Sequence, residues 1–172
     1  MNQKVFLAQW DHFRQVVGIG MRLVDALPEN QLDSRPIAKM RSPKELVVHQ
    51  YGMTLRSVME GTVAGEIKEI DEKAAVAQIR TKADLVRYCR DCWAAADRAA
   101  RLLTDEKFHA SIKTPWGMDL PGVAAVGVTF EEFMHHRGQL FVYLRALGCD
   151  VPMMWDFEHN AAEFRPTAAA QA

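Results

Sequence analysis

Two groups of residues in this sequence have types and spacings that suit metal chemistry. The first is Glu132-x-x-His135-His136, together with His49 far upstream in the chain. On a helix, Glu132 and His136 are four positions apart and project from one face. If the helix that carries His49 faces that helix, two imidazoles and one carboxylate can meet at one ion. Such a set suits Zn²⁺, Ni²⁺ or Fe²⁺ and leaves coordination positions open for water or substrate.

The same residues also have ordinary structural interpretations. His49 lies on an apolar face, where a histidine is often a core residue held by one hydrogen bond. Glu132 is the N3 glutamate of a capping box if its helix begins at Thr129. His135 lies about 100° around the helix from His136 and is predicted to point away from the site. The remaining histidines have no partner at ligand spacing and are interpreted as surface or packing residues: His12, His109 and His159.

The second group is Cys89-x-x-Cys92, a spacing that also occurs in zinc and redox sites. The sequence contains no second such pair, no glycine-rich phosphate loop and no nucleophile elbow. Both cysteines continue an apolar stripe with Leu85 and Ala96, so we interpret them as small buried core residues. The chain has only three cysteines, which excludes a disulfide framework and agrees with a reducing compartment.

Four long helices must position these residues. The first has an apolar stripe from about Lys4 to Leu27. The second begins with a capping box, in which Ser42 is the N-cap and Glu45 is N3, and it is predicted to end near Gly61. The third is predicted over residues 81–103, with a threonine N-cap.

The fourth helix carries Glu132 and His136, and the sequence leaves two positions for its start. It begins near Pro121 in one alternative and at Thr129 in the other. We favour the longer helix, because residues 123–128 are too apolar for an exposed loop. Gly148 is predicted to follow its end. Four long helices with few strand signals predict an all-α protein, and specifically a four-helix bundle.

The segments between and after these helices carry weaker signals. Residues 66–80 are charged and alanine-rich and are predicted to form a short surface helix or an ordered loop, whereas residues 104–120 have mixed signals. Residues 151–155 are predicted to pack on the bundle as an apolar strap. We expect one bundle domain over residues 1–155 and a partly disordered C-terminal tail over residues 156–172, in which residues 166–172 are frayed.

Composition and charge exclude several classes of protein. The chain has 172 residues, of which 49% are hydrophobic and 25% are charged, as in a single globular domain. A formal net charge of -1 argues against a nucleic-acid or an anionic-membrane partner. No run approaches the roughly 20 apolar residues of a membrane span, and the first residues lack the pattern of a signal peptide. We therefore expect a cytoplasmic protein.

Several motifs together resemble the DinB family (DinB/YfiT-like proteins). Residues 133–140, Phe-Met-His-His-Arg-Gly-Gln-Leu, resemble the family's most recognisable motif, in its last bundle helix. Residues 27–29 look like the end of its first helix, and residues 42–49 look like its second helix with the first metal histidine. Val151-Pro152 looks like the family's exit from the last helix. The resemblance covers residues 5–155, approximately.

This resemblance implies a four-helix bundle of DinB/YfiT-like type with a long crossover connection. Family members typically hold a divalent metal with three histidines, one from the second helix and two, at i and i+4, from the last. His49 and His136 match two of these positions, and the third falls on Glu132. A site with two histidines and one glutamate has a harder ligand set, which shifts metal preference away from softer ions. A weakened or lost site is the alternative.

The resemblance also implies a function. Family members of known activity use low-molecular-weight thiols such as bacillithiol, mycothiol or glutathione. This implies a metal-dependent thiol S-transferase that acts on small electrophiles and assembles as a homodimer. The alternative is a non-enzymatic, stress-related dimeric bundle that binds a ligand or partner without a functional metal. We do not favour a di-iron protein of the ferritin-like kind, because that class also needs two more inward-facing glutamates.

Three further residues near His136 have open roles. Arg137 and Gln139 flank the site histidine, and they either orient a group around the site or face the partner in a dimer. Tyr143 lies one helical turn beyond Gln139. It either lines the same cavity or is an ordinary core aromatic residue.

Overall fold

The computed structural model describes residues 1–166, and most of them are helical. The elements, in chain order, are α1 (Gln3–Ala26), α2 (Pro43–Val48), a π-helical segment (His49–Ser57), α3 (Val58–Ala64), α4 (Glu72–Gln78), α5 (Lys82–Leu102), α6 (Asp105–His109), β1 (Ser111–Ile112), β2 (Leu120–Pro121) and α7 (Gly122–Ala146). Short 3-10 turns lie at Glu29–Gln31 and Ala162–Phe164. No helix in this described part of the chain is long and apolar enough to cross a membrane.

The second long helix is continuous from residue 43 to residue 64 and consists of α2, the π-helical segment and α3. Together with α1, α5 and α7 it forms the predicted four-helix bundle. It packs against α5 and α7, and α1 packs against the same two helices. The second long helix and α1 therefore lie diagonally opposite each other.

The predicted long crossover connection is present between the second long helix and α5. Near the starts of these two helices, Lys44 Nζ donates to the carbonyl of Ile79 at 3.3 Å. The two helices therefore run parallel, and residues 65–81 must return along the length of the bundle. In contrast, the backbone N–H of Gln3 donates to Asp105 just beyond the end of α5, at 2.7 Å. Accordingly, α1 and α5 run antiparallel.

Aromatic rings fill the core where α1, α5 and α7 meet. The rings of Trp10 and Trp93 stack with centroids 5.4 Å apart, and Phe13 contacts Phe133 edge to face at 5.2 Å. Trp10 and Phe13 follow the predicted apolar stripe of α1, and all four side chains are almost completely buried. Rings of this size account for a large part of the apolar area that stabilises the bundle.

The second long helix begins as predicted but ends later. The Ser42 hydroxyl accepts from the backbone N–H of Glu45 at 3.2 Å, and the Glu45 carboxylate accepts from the N–H of Ser42 at 2.7 Å. The predicted end near Gly61 is wrong, because the helix continues to Ala64 and stops at Gly65, whose φ is 91°. A Cβ at Gly61 would lie 2.6 Å from the Cα of Ile67, so glycine there lets the returning chain pass close by.

The longer alternative for the last helix is confirmed, since α7 begins at Gly122. Glu132 therefore lies in the middle of α7 and is not the N3 residue of a capping box. Gly148 follows the helix in a left-handed conformation, with φ of 72°, as predicted. The segment with mixed signals contains α6 and a two-stranded hairpin in which β1 pairs antiparallel with β2.

The segment after α7 differs from the predicted apolar strap. Met153, Met154 and Trp155 are largely exposed, and only the two residues before them are half-buried. The segment is instead held further on, where Asp156 pairs with Arg22 at 2.8 Å and the buried residues Asn160 and Phe164 pack on the bundle. The domain boundary at residue 155 stays a prediction. Residues 166–172 are predicted to be frayed, and residues 167–172 lie outside the described part of the chain.

Candidate metal centre

The structure brings His49, Glu132 and His136 together. His49 is the first residue of the π-helical segment, and the other two lie one turn apart on the facing side of α7. One potential ligand atom from each side chain lies within 4.8 Å of the other two. The rings of His49 and His136 meet edge to face with centroids 4.8 Å apart.

His136 has one ring nitrogen bonded and one free. Its Nδ1–H donates to Oε1 of Gln139 at 2.9 Å. Its Nε2 is buried and has no hydrogen-bond partner among residues 1–166, although Oε2 of Glu132 lies 3.3 Å away. Burial lowers the pKa of His136, and the bond to Gln139 opposes that effect. The imidazole is therefore predominantly neutral near pH 7, with its lone pair on Nε2, as a metal ligand requires.

His49 is oriented by a residue from the crossover connection. Its Nδ1 lies 2.6 Å from Oε1 of Glu72, at the start of α4. A carboxylate that binds one imidazole nitrogen fixes the ring, makes the other nitrogen more basic and leaves that nitrogen for an ion. Glu72 also lies 3.9 Å from the guanidinium of Arg41.

These distances fit a small divalent ion. Ligand atoms on a tetrahedral zinc are about 3.3 Å apart, given Zn–N distances near 2.0–2.1 Å. Nε2 of His136 and Oε2 of Glu132 already have that separation, at 3.3 Å. His49 would need only a small ring movement, since all three ligand atoms lie within 4.8 Å of one another. Two nitrogens and one oxygen leave a fourth position for a reactant.

A mostly apolar cavity of about 550 Å³ adjoins the three residues. The tip of the β1–β2 hairpin contributes Trp116 and Met118, both of which are substantially exposed. The other lining residues come from the second long helix, β2 and α7: His49, Met53, Thr54, Val58, Leu120, Val128 and Glu132. This volume accommodates a small molecule, and the lining residues include no lysine or arginine.

The remaining histidines lie outside the cluster, as predicted. His12, His109 and His159 are exposed. His135 is exposed too, but its Nε2 lies 3.0 Å from Nε2 of Gln139. Gln139 can thus donate to His135 while it accepts from His136, so it orients the site histidine.

Tyr143 and the two cysteines Cys89 and Cys92 lie in the packed core. Tyr143 is a core aromatic residue whose hydroxyl donates to the carbonyl of Arg41 at 2.8 Å. Cys89 and Cys92 are buried in the core, as predicted, and neither belongs to a metal-compatible cluster within residues 1–166. Burial raises the pKa of Cys89 well above its usual value and that of Cys92 to about 11.

Sequence reasoning missed three residues at this site. Glu72 lies in a charged segment that resembles many surface helices, and nothing in its spacing relates it to His49. Trp116 and Met118 lie in the segment with mixed signals. The one sequence signal that could have identified them is that two large apolar residues flank Gly117. In the structure this segment is a hairpin tip, and both side chains are exposed.

Comparison with known proteins agrees with this architecture. The DinB family model matches residues 1–166. A DinB-like protein from Bacillus subtilis is 22% identical, with a TM-score of 0.68 over 86% of this chain and 96% of that one. A DinB-like protein from Bacillus cereus is 18% identical, with a TM-score of 0.70 over 89% and 99%.

A third structure carries a functional description. YfiT from Bacillus subtilis, described as a probable metal-dependent hydrolase with an unusual four-helix bundle topology, is 17% identical. Its TM-score is 0.66 over 84% of this chain and 89% of that one. At these identities the likeness shows the fold alone. No curated protein matches the chain.

Proposed function

The chain belongs to the DinB family, and on that premise we propose that it is an enzyme that uses one divalent metal ion held by His49, Glu132 and His136. Zn²⁺, Ni²⁺ and Fe²⁺ all suit two imidazoles and one carboxylate. The observation that carries the proposal is the buried, unpaired Nε2 of His136. A buried polar atom without a partner is costly, and a metal ion would remove that cost.

The surrounding residues prepare this site for catalysis. A bound divalent ion supplies a nucleophile, because it favours the ionised form of a thiol or a water molecule beside it. Glu72 and Gln139 each bind Nδ1 of one histidine and hold its ring in place. The mostly apolar walls of the cavity suit an uncharged substrate.

The reaction that we propose first is thiol S-transfer. A low-molecular-weight thiol binds as a cosubstrate and releases its proton to solvent. Its sulfur then forms a bond to carbon of a small electrophile as the bond from that carbon to the leaving group breaks, and the leaving group departs with the bonding electron pair. Thr54 and the apolar residues of the cavity contact the electrophile. The second candidate is hydrolysis, and the ligand set favours it, since two histidines and one glutamate hold zinc in several hydrolases.

Metal content is the first test of this proposal. Protein purified without added metal, and protein loaded with Zn²⁺ or Ni²⁺, should each contain one ion per chain by elemental analysis. His49→Ala should lose the ion, whereas His12→Ala, an exposed histidine on α1, should keep it. Glu132→Gln should weaken binding about tenfold or more, since the ligand loses its charge. A wild-type protein that binds no metal after titration would favour the non-enzymatic alternative.

Activity separates the two reactions. The metal-loaded protein is incubated with apolar electrophiles and with apolar esters, each with and without bacillithiol, mycothiol or glutathione. Thiol S-transfer predicts a conjugate only when thiol and metal are both present. Hydrolysis predicts cleavage that is independent of thiol. If neither product forms faster than with Glu132→Gln protein, the enzymatic proposal fails even if the metal binds.

A further inference from the structure

A groove between α1 and α7, separate from the cavity beside the metal centre, contains a buried arginine without a partner. Arg137 is only 3% exposed. Among residues 1–166 its guanidinium makes no hydrogen bond and no ion pair. The other buried arginine, Arg14, pairs with Asp97 at 2.5 Å, as a covered guanidinium normally does.

The rest of the groove is mostly apolar. Its volume is about 750 Å³, which is the size of a site for a small organic molecule. Its walls consist of Val5, Ala8, Gln9, His12, Phe13, Val16, Phe130, Met134 and Trp155. None of these residues is acidic, so the positive charge of Arg137 has no carboxylate within the groove.

A second polar group, in the core against Phe133, also lacks a partner. The hydroxyl of Tyr51 is completely buried and has no hydrogen-bond partner within the described residues. Burial raises the pKa of Tyr51 well above its usual value, and the positive charge of Arg137 opposes this effect only in part.

An uncompensated guanidinium in an apolar setting is unfavourable, and the complement that it lacks is an anion. The chain itself covers almost all of Arg137, so only a slender head group can reach it. A flat protein surface, such as that of a second copy, would rest on the rim formed by Val5, Met134 and Trp155. The long apolar groove in turn suits a hydrocarbon tail.

We propose that the groove between α1 and α7 binds a small amphipathic carboxylate, whose head group pairs with Arg137 and whose hydrocarbon tail lies along Ala8, Phe13 and Phe130. A planar carboxylate matches the fork of a guanidinium and can accept two parallel N–H bonds. This inference does not depend on the proposed catalysis.

Calorimetric titration with decanoate and with decanol tests the proposal. The two probes have the same chain length, but only decanoate carries a charge. The purified protein, with and without bound Zn²⁺, should bind one decanoate per chain with the same affinity. Decanol should bind about tenfold more weakly or worse, because it cannot form the charge-assisted bonds. Equal affinities for the two probes would overturn the assignment of a head-group site.

Three variants locate the site. Arg137→Met should weaken decanoate binding about tenfold and leave decanol unchanged. Arg145→Met, which removes an exposed arginine two turns further along α7, is the matched control and should bind both probes as the wild type does. Ala8→Phe, on the wall of the groove, should weaken both probes. The helical circular dichroism spectrum of each variant should match that of the wild type, which shows that each variant is folded.

Two results would contradict the proposal. Decanoate affinity that is unchanged in Arg137→Met would show that the probe binds elsewhere. Light scattering is the second readout. If the wild type is a dimer that binds no decanoate, and Arg137→Met is a monomer, then a second copy of the chain covers the groove in place of a small molecule.

Discussion

The two sides of the bundle differ in whether their buried polar groups have hydrogen-bond partners. Between α1 and α5, the carboxylate of Asp97 accepts from Nε1 of Trp10 at 2.9 Å and pairs with Arg14 at 2.5 Å. On the opposite side, four of the five side-chain atoms that have no contact with solvent and no partner among residues 1–166 belong to the second long helix or to α7. These four are Gln50 Oε1, Tyr51 OH, Thr129 Oγ1 and His136 Nε2.

The difference supports our proposal that one side of the bundle maintains the fold and that the other side binds ligands. A satisfied polar network inside an aromatic core specifies one packing arrangement. Unsatisfied groups cost stability and are retained where they serve another purpose, as at a metal or substrate site. The π-helical segment belongs to the second part, and such segments often occur at functional sites.

The largest effect should come from breaking the satisfied network. Asp97→Ala removes the acceptor of the Trp10 indole N–H and the nearest ion-pair partner of Arg14, which keeps its contacts with Asp11 and with the carbonyl of Glu163. The free energy of unfolding in urea should fall by about 2 kcal/mol. Asp91→Ala, at an exposed position on the same helix, should change it by less than about 0.5 kcal/mol. Zinc affinity should be unchanged in both variants, and a loss of metal in Asp97→Ala would remove the distinction between the two sides.

A smaller effect is expected on the opposite side from Glu72→Gln. The variant keeps an acceptor for Nδ1 of His49 but removes the negative charge beside the ring. Metal affinity should fall about tenfold, with little change in stability. Glu69→Gln, at an exposed position in the same connection, serves as the control in the same calorimetric titration. Equal affinities for the two variants would show that Glu72 does not support the site.

The cysteine pair should behave as part of the packed core. Cys92→Ala should cost about 1 kcal/mol of unfolding free energy, because it leaves a small cavity, and metal content should not change. The pKa of Cys92 is about 11, so a disulfide reagent at pH 8 should modify Cys149 far faster than the buried pair. Rapid modification of all three thiols in the native protein would contradict this assignment.

The smallest effect concerns the N-terminus of α5. Hydrogen bonds from Thr81 and from the backbone N–H of Arg80 lower the pKa of Asp84 from 3.8 to about 2. A carboxyl group whose pKa is lower in the folded state stabilises the protein at pH values above its pKa in the unfolded state. This contribution is lost as the pH falls from 3.8 towards 2. Asp84→Asn should therefore be slightly less stable than the wild type at pH 7. The difference should disappear in acid, and a difference independent of pH would contradict this origin.

Much of the fold was predictable, because local patterns determine it. The capping box at Ser42, the N-cap of α5 and the apolar stripe of α1 each produced the predicted helix. The late end of the second long helix was not predictable, since it depends on the close approach of Ile67 to Gly61. The π-helical segment likewise has no signal in residue spacing.

The candidate site was predictable in part. His49, Glu132 and His136 follow from helical spacing and from the resemblance to the DinB family. Glu72 does not, because it reaches His49 through the crossover connection, whose path only the three-dimensional structure defines. The missing partner of Arg137 is also visible only in three dimensions, since a sequence does not show which charges are paired.

The central claim is that Nε2 of His49 and Nε2 of His136 bind a metal ion, and ¹⁵N NMR of the imidazole nitrogens during a Zn²⁺ titration tests it most directly. Two of the six histidines, assigned through single His→Gln variants, should change at one equivalent of zinc. Both should retain a proton on Nδ1 and bind zinc through Nε2. Unchanged signals from His136, or zinc bound through Nδ1 of either histidine, would contradict the account.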